Sequence, residues 1–212
     1  MTKKVFWEAP YQTRLDTSVL SVDGEKITLK ETIFFAFSGG QESDNGTING
    51  HPVAHAEKTG SEIHYTLPKG HKLKEGDPVT IEIDWERRYK FMRLHFAAGI
   101  TLELLTRELE GLQKIGAHIA QDKARIDFAT TQNITSTLPL IEQSAQEIIN
   151  ADLPIECDFS DPINERRFWK VTGFAQVPCG GTHVKSTKEI GEILLKRKNP
   201  GKGKERVEIY IK

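Results

Sequence analysis

The chain has 212 residues, a formal net charge of −1, 37% hydrophobic residues and 28% charged residues. It can bury the core of one large or two small domains, and its near-neutral balance argues against coating nucleic acid by charge alone. No apolar run approaches the roughly 20 residues of a membrane span, Glu8 cuts off any leader-like core after Met1-Thr2-Lys3-Lys4, and two cysteines, Cys157 and Cys179, offer no disulfide scaffold, so a reduced, cytoplasmic protein is expected.

Residues 1–88 read as short strands separated by turns. Ser18 to Val22, then Asp23-Gly24, then Lys26 to Leu29 form a hairpin signature. Further turn signals stand at Ser38-Gly39-Gly40, Asn45-Gly46, Asn49-Gly50, Lys69-Gly70 and Glu75-Gly76-Asp77-Pro78. Val79 to Trp85 alternates apolar and polar residues, the mark of a half-buried strand. Many short, closely spaced strands predict a small β-barrel.

The pattern changes at Trp85-Glu86-Arg87-Arg88. From Tyr89 to Gln113 there is no proline, and Leu94, Ala98, Leu102, Leu105, Leu109 and Leu112 recur at helical steps, predicting an amphipathic helix. Turns are expected around Gly116 and Asp122-Lys123, followed by a strand over Ala124–Phe128 and then a second helix. That helix runs from Leu138 to Ala151, with Pro139 in its first turn and Asp152-Leu153-Pro154 as its stop. Strands return at 155–159, 167–174, 192–196 and 207–211. Residues 89–212 thus read as a second domain of α+β class, helices packed on an antiparallel sheet.

Pro178-Cys179-Gly180-Gly181-Thr182-His183 is the most informative stretch. Zinc takes thiolate and imidazole ligands at about 2.0–2.3 Å, so ligands this close in sequence need a sharply folded backbone. Two glycines able to adopt φ > 0 are expected to supply it. A catalytic zinc needs about three protein ligands and an open position, and His95, inside apolar Leu94-His95-Phe96-Ala97-Ala98, is the natural third. His51 and His55 are excluded as a pair, because Gly50 and Pro52 deny them a helix and strand spacing holds them roughly 13 Å apart. His64 and His71 are expected at the surface, His118 near a cleft, and Cys157, alternating with Ile155 and Phe159, as a buried structural thiol. Lys196, Arg197, Lys198, Lys202 and Lys204, interleaved with Gly201 and Gly203, offer either a phosphate-binding loop or a solvated turn.

Pro178 to His183, continuing to Gly191, resembles the metal-site signature of the alanyl-tRNA synthetase editing domain, the second additional domain shared by threonyl- and alanyl-tRNA synthetases. Thr32 to Gly46, with Phe37-Ser38-Gly39-Gly40-Gln41, is similar to that family's glycine-rich motif. Asp84 to Tyr89 with Met92, Arg93 and His95 looks like its barrel–helix junction, and Lys202 to Arg206 like its C-terminal loop. The similarity spans nearly the whole chain, and with no room for a charging domain it indicates a freestanding editing protein of AlaX type.

The resemblance implies a zinc-dependent aminoacyl-tRNA deacylase that hydrolyses serine or glycine from tRNA for alanine. It carries His95, Cys179 and His183 over as metal ligands and catalytic residues for one Zn²⁺ per chain, and Gln41 as a substrate contact. Thr182, in the same signature, is added because its hydroxyl could bond a seryl side chain. The aminoacylated acceptor end of tRNA is the implied partner, with the basic loop as its backbone contact. Where the family places a second histidine, four residues after the first, this chain has Gly99. The alternative is a metal-poor protein that grips the acceptor end without hydrolysis.

Overall fold

The computed structural model describes residues 2–212. The chain forms two compact units, Met1–Ser38 with Glu42–Tyr89, and Gly39–Gln41 with Lys90–Lys212. The triplet Gly39–Gln41 therefore belongs with the second unit although its sequence neighbours belong to the first.

Among the described residues, nine strands build the first unit: β1 (Lys3–Lys4), β2 (Arg14–Asp23), β3 (Lys26–Leu29), β4 (Glu31–Thr32), β5 (Gly46–Ile48), β6 (His51–Pro52), β7 (His55–Thr59), β8 (Glu62–Thr66) and β9 (Pro78–Ile83). β1 and β4 pair in parallel; the others form an antiparallel sheet in the order β6-β5-β9-β2-β3-β8-β7. The sheet curls because β2 serves two partners, pairing through Arg14–Ser18 with β9 and through Val19–Asp23 with β3. Its register shifts between Val19 and Ser21, and an extra residue of this kind bends a strand.

The barrel expected from the sequence is not closed, since β6 and β7 share no ladder and the sheet stays a curled half-barrel. β6 has only two residues, one of them Pro52, which lacks the N–H a closing ladder requires. Ile27, Leu29, Phe34, Phe35, Ile48 and Ile81 form part of its core. Within that core Arg88 and Asp44 are fully buried as an ion pair. Arg88 also donates to the carbonyls of Pro10 and Ile33, and Asp44 accepts the Phe35 N–H, so neither charge lacks partners. His71, expected at the surface, is buried: its Nε2 lies 3.0 Å from the Gly24 carbonyl and its Nδ1 accepts the Leu73 N–H.

α1 (Trp85–Glu108) carries the chain across the division. It starts four residues before the expected Tyr89 because Asp84 caps it, its carboxylate accepting the Arg87 N–H at 3.1 Å. It is not the one-stripe helix predicted. Phe91, Met92, Leu94, Phe96, Ala97, Ala98, Ile100 and Thr101 are all buried, which wraps its middle in protein on several sides.

The helix stops before Gly111, at φ 75°, and the remaining elements are β10 (Gln113–Ile119), β11 (Ala124–Ala129), α2 (Leu138–Asn150), β12 (Glu156–Asp161), β13 (Arg166–Val171), β14 (Ala175–Pro178), β15 (Ile193–Gly201) and β16 (Lys204–Ile211). The sequence pattern does not signal β10, because the strand holds Gly116 and a register shift and so lacks clean alternation. The antiparallel sheets run β10-β11-β16-β15 and β12-β13-β14, an α+β arrangement as expected. Among the described residues no helix is long and apolar enough to cross a membrane.

Candidate metal centre

Two elements and one loop of the second unit deliver three side chains that could hold a metal ion. His95 projects from α1. Cys179 follows directly on β14, its N–H donating to the Arg167 carbonyl at 2.8 Å and extending the β13–β14 ladder by one bond. His183 closes the loop four residues later. The Cys179 Sγ lies 3.2 Å from His95 Nε2 and 3.2 Å from His183 Nε2. All three donor atoms fall within 4.8 Å of one another, the only such group of three His, Cys, Asp or Glu among the described residues.

The glycines of the loop act differently from expectation. Neither Gly180 nor Gly181 adopts a positive φ. Gly181 is needed for close approach instead: a Cβ there would sit 2.1 Å from His95 Cε1 and 3.0 Å from Gln41 Oε1. Any larger residue would push the imidazole away from the thiol.

Both imidazoles are held from behind. His95 Nδ1 lies 2.7 Å from Gln41 Oε1, so an N–H there donates to the amide oxygen and leaves Nε2 with a free lone pair facing Cys179. Gln41 is fully buried, and its Nε2 donates to Thr182 Oγ1 at 3.0 Å. His183 Nδ1 lies 3.3 Å from Cys157 Sγ. A second group fixing the tautomer of each ligating histidine is the usual support of a metal site.

Electrostatics agree. Burial by itself would raise the pKa of the Cys179 thiol, but the charges and hydrogen bonds of His95 and His183 outweigh it and hold the thiol well below its ordinary range. Burial pushes His183 down, favouring the neutral imidazole a metal requires. Cys157 is an exposed residue rather than the buried one expected, because β12 is the edge of its sheet. Its sulfur nonetheless packs against His183, and burial pushes its pKa up to about 11, so it remains a thiol.

A cavity of about 90 Å³ adjoins the cluster, lined by His95, Cys179, Gly99, Trp169 and apolar side chains from α1, β10 and β11. His118 is not part of its lining. Arg93, two residues before His95 on α1, donates twice to the Ile190 carbonyl at 3.0 and 2.7 Å and ties the helix to the segment beyond His183.

A family model, the threonyl and alanyl tRNA synthetase second additional domain, matches residues 170–208. The alanyl-tRNA editing protein AlaX-M of Pyrococcus horikoshii is 34% identical over 216 residues, covering 100% of this chain and 98% of the relative. The chain belongs to the AlaX family of alanyl-tRNA editing proteins. AlaX-M of Saccharolobus solfataricus is 32% identical with both chains fully covered. An alanine–tRNA ligase of Methanococcus maripaludis is 30% identical over 98% of this chain, which spans only 26% of the ligase.

Within this AlaX chain the structure accounts for Gly99. A Cβ at that position would lie 3.3 Å from Trp169 Cζ2 and 3.6 Å from its Nε1. The Trp169 indole occupies the flank of the helix where a side chain at 99 would project, and it packs edge-on against Phe96 at 4.9 Å. Nothing in Arg167-Phe168-Trp169 as a sequence signals this; it takes the pairing of β12, β13 and β14 to bring Trp169 to the helix.

The basic hairpin divides into fixed and unfixed charges. Arg197 is clamped by Glu205 at 2.7 and 2.5 Å, Arg206 by Asp127 at 2.5 and 3.1 Å, and Lys196 lies over the Tyr210 ring. Lys198, Lys202 and Lys204 make no ion pair among the described residues and flank the turn at Gly201 and Gly203.

Proposed function

We propose that this chain is a trans-editing hydrolase that deacylates mischarged tRNA in the cytoplasm, releasing serine or glycine from the tRNA for alanine. The convergence of His95, Cys179 and His183 in one partly buried cluster carries the reading, in a family whose named relatives are alanyl-tRNA editing proteins. The donor set fits zinc: two imidazole nitrogens and a thiol, spaced as ligands around one small ion. Zinc bound there supplies Lewis acidity toward water or the ester carbonyl.

The protein's own groups do the rest. Gln41 and Cys157 hold the histidine rings so that both Nε2 atoms face the thiol. Gln41 and Thr182, expected to touch substrate, bond to each other, and this supports a role for Gln41 in positioning His95. The adjoining cavity gives the acyl group a place beside the cluster. Lys198, Lys202 and Lys204 would meet the phosphates of the acceptor arm, with Lys196 and Arg197 shaping the hairpin that presents them.

The test is metal analysis joined to initial rates on seryl-, glycyl- and alanyl-tRNA for alanine at fixed salt. About one zinc per chain and metal-dependent cleavage of the mischarged forms are expected. Equal rates for metal-free and metal-loaded protein would overturn the mechanism. Binding of tRNA with no cleavage of any ester would leave the acceptor-end binding protein as the better description.

A further inference from the structure

The cavity beside the cluster is apolar apart from a few groups. Ala98, Leu102, Ala117, Ile119, Ile126 and Val177 form most of its wall. Of its polar side chains, His95 and Cys179 belong to the metal cluster and Lys114 is exposed. At about 90 Å³ the space beside the cluster is small, which suits a small side chain.

The remaining polar group is the indole N–H of Trp169. Trp169 is only 2% exposed. Its Nε1 donates to no acceptor among the described residues, yet it is not one of the sealed, unpaired buried atoms. It lies 3.6 Å from the place a Gly99 Cβ would occupy, and both residues line the cavity. The unpaired N–H therefore borders the cavity, and the missing side chain at 99 is what leaves room for it. An indole nitrogen can only donate, and a buried donor in an apolar pocket gains most from a ligand oxygen placed against it.

We infer that this cavity receives the side chain of the acyl group and that Trp169 is a specificity-determining residue whose N–H donates to the hydroxyl of a seryl substrate. The assignment rests on the deacylase reading above. Gln41 and Thr182 bond to each other and neither lines the cavity, whereas Trp169 does, so the indole N–H is the donor placed to meet a hydroxyl there. An alanyl group fills the same space but leaves the N–H unpaired, and a site built for a hydroxyl discriminates against a substrate lacking it.

Two measurements test this. Adenosine carrying serine or alanine through a non-hydrolysable 3′-amide is titrated into the zinc-loaded protein while the three indole ¹H–¹⁵N signals are followed, the Trp169 signal being assigned with Trp169→Phe. The seryl compound should move the Trp169 signal downfield and the alanyl compound should leave it nearly in place. In parallel, Trp169→Phe at unchanged zinc content should lower the seryl rate about tenfold or more relative to the alanyl rate, the effect of losing one buried hydrogen bond. Replacing the indole by the benzothienyl isostere, which lacks only the N–H, should reproduce that loss and separates hydrogen bonding from packing. Equal movement of the signal by both compounds, or an isostere that keeps the wild-type preference, overturns the assignment while leaving the deacylase reading intact. Failure of both compounds to bind, with no ester cleaved, overturns the two together.

Discussion

Restoring the family's second histidine by Gly99→His gives a sharp test of how Trp169 and α1 share space. By sequence alone the change should help: it adds an imidazole one turn beyond His95 and removes a helix-interior glycine, worth up to about 0.5 kcal/mol. The structure opposes it. A Cβ at 99 already meets Trp169 Cζ2 at 3.3 Å, tighter than ordinary contact, and an imidazole must displace an indole that is packed against Phe96. Overpacking of this kind costs about 1–3 kcal/mol. The net expectation is a loss of about 0.5–2.5 kcal/mol, or roughly 1–10 °C in melting temperature for a chain of this length. The assay is thermal unfolding of chelator-treated protein, so that metal binding does not mask the change, with zinc affinity measured separately by competition. Gly99→His alone should not tighten zinc binding, whereas Gly99→His combined with Trp169→Phe, which removes the far ring, should bind zinc more tightly than Trp169→Phe alone. A Gly99→His protein as stable as the parent and with tighter zinc would refute the claim that Trp169 holds this space.

Cys179→Ala should abolish stoichiometric zinc, because two imidazoles are left where about three ligands are needed; retained zinc in metal analysis would show the thiol is no ligand. Gln41→Ala frees the His95 ring and should weaken zinc binding by about 10–100-fold, the usual effect of losing a group that orients a ligand, and an unchanged affinity would deny Gln41 that role. Asp44→Ala leaves the fully buried Arg88 uncompensated and should cost about 3–5 kcal/mol, read as loss of cooperative unfolding by circular dichroism. Changing Lys198, Lys202 and Lys204 to Ala should weaken tRNA binding and flatten its dependence on log salt by about 0.7–0.9 for each phosphate that is no longer neutralised. Changing Arg197, clamped by Glu205, should alter that slope less than changing Lys202.

Much of the molecule is written along the chain. Alternation in 79–83 and 124–128, the Pro139 start of α2 and the turn at Asp23-Gly24 are local signals, legible because neighbours in sequence decide them. The grouping of His95, Cys179 and His183 is legible too, since Cys179 and His183 lie four residues apart and His95 interrupts an apolar run. Long-range geometry is not. Strand spacing suggests a closed barrel, but closure depends on whether the edges β6 and β7 meet, and Pro52 in a two-residue edge is visible as an obstacle only once the strand order is known. The loop glycines suggest a turn with positive φ, whereas Gly181 is required by the ring of His95, eighty-six positions away in the chain. Cys157 alternates like a core residue, but its exposure is set by the strand order, which leaves β12 at an edge of its sheet. The sequence by itself determined which residues are capable of metal chemistry, since that depends on side-chain type. Only the tertiary structure decided what supports them, because Gln41 behind His95 and Trp169 against Gly99 are contacts between segments that no local pattern relates.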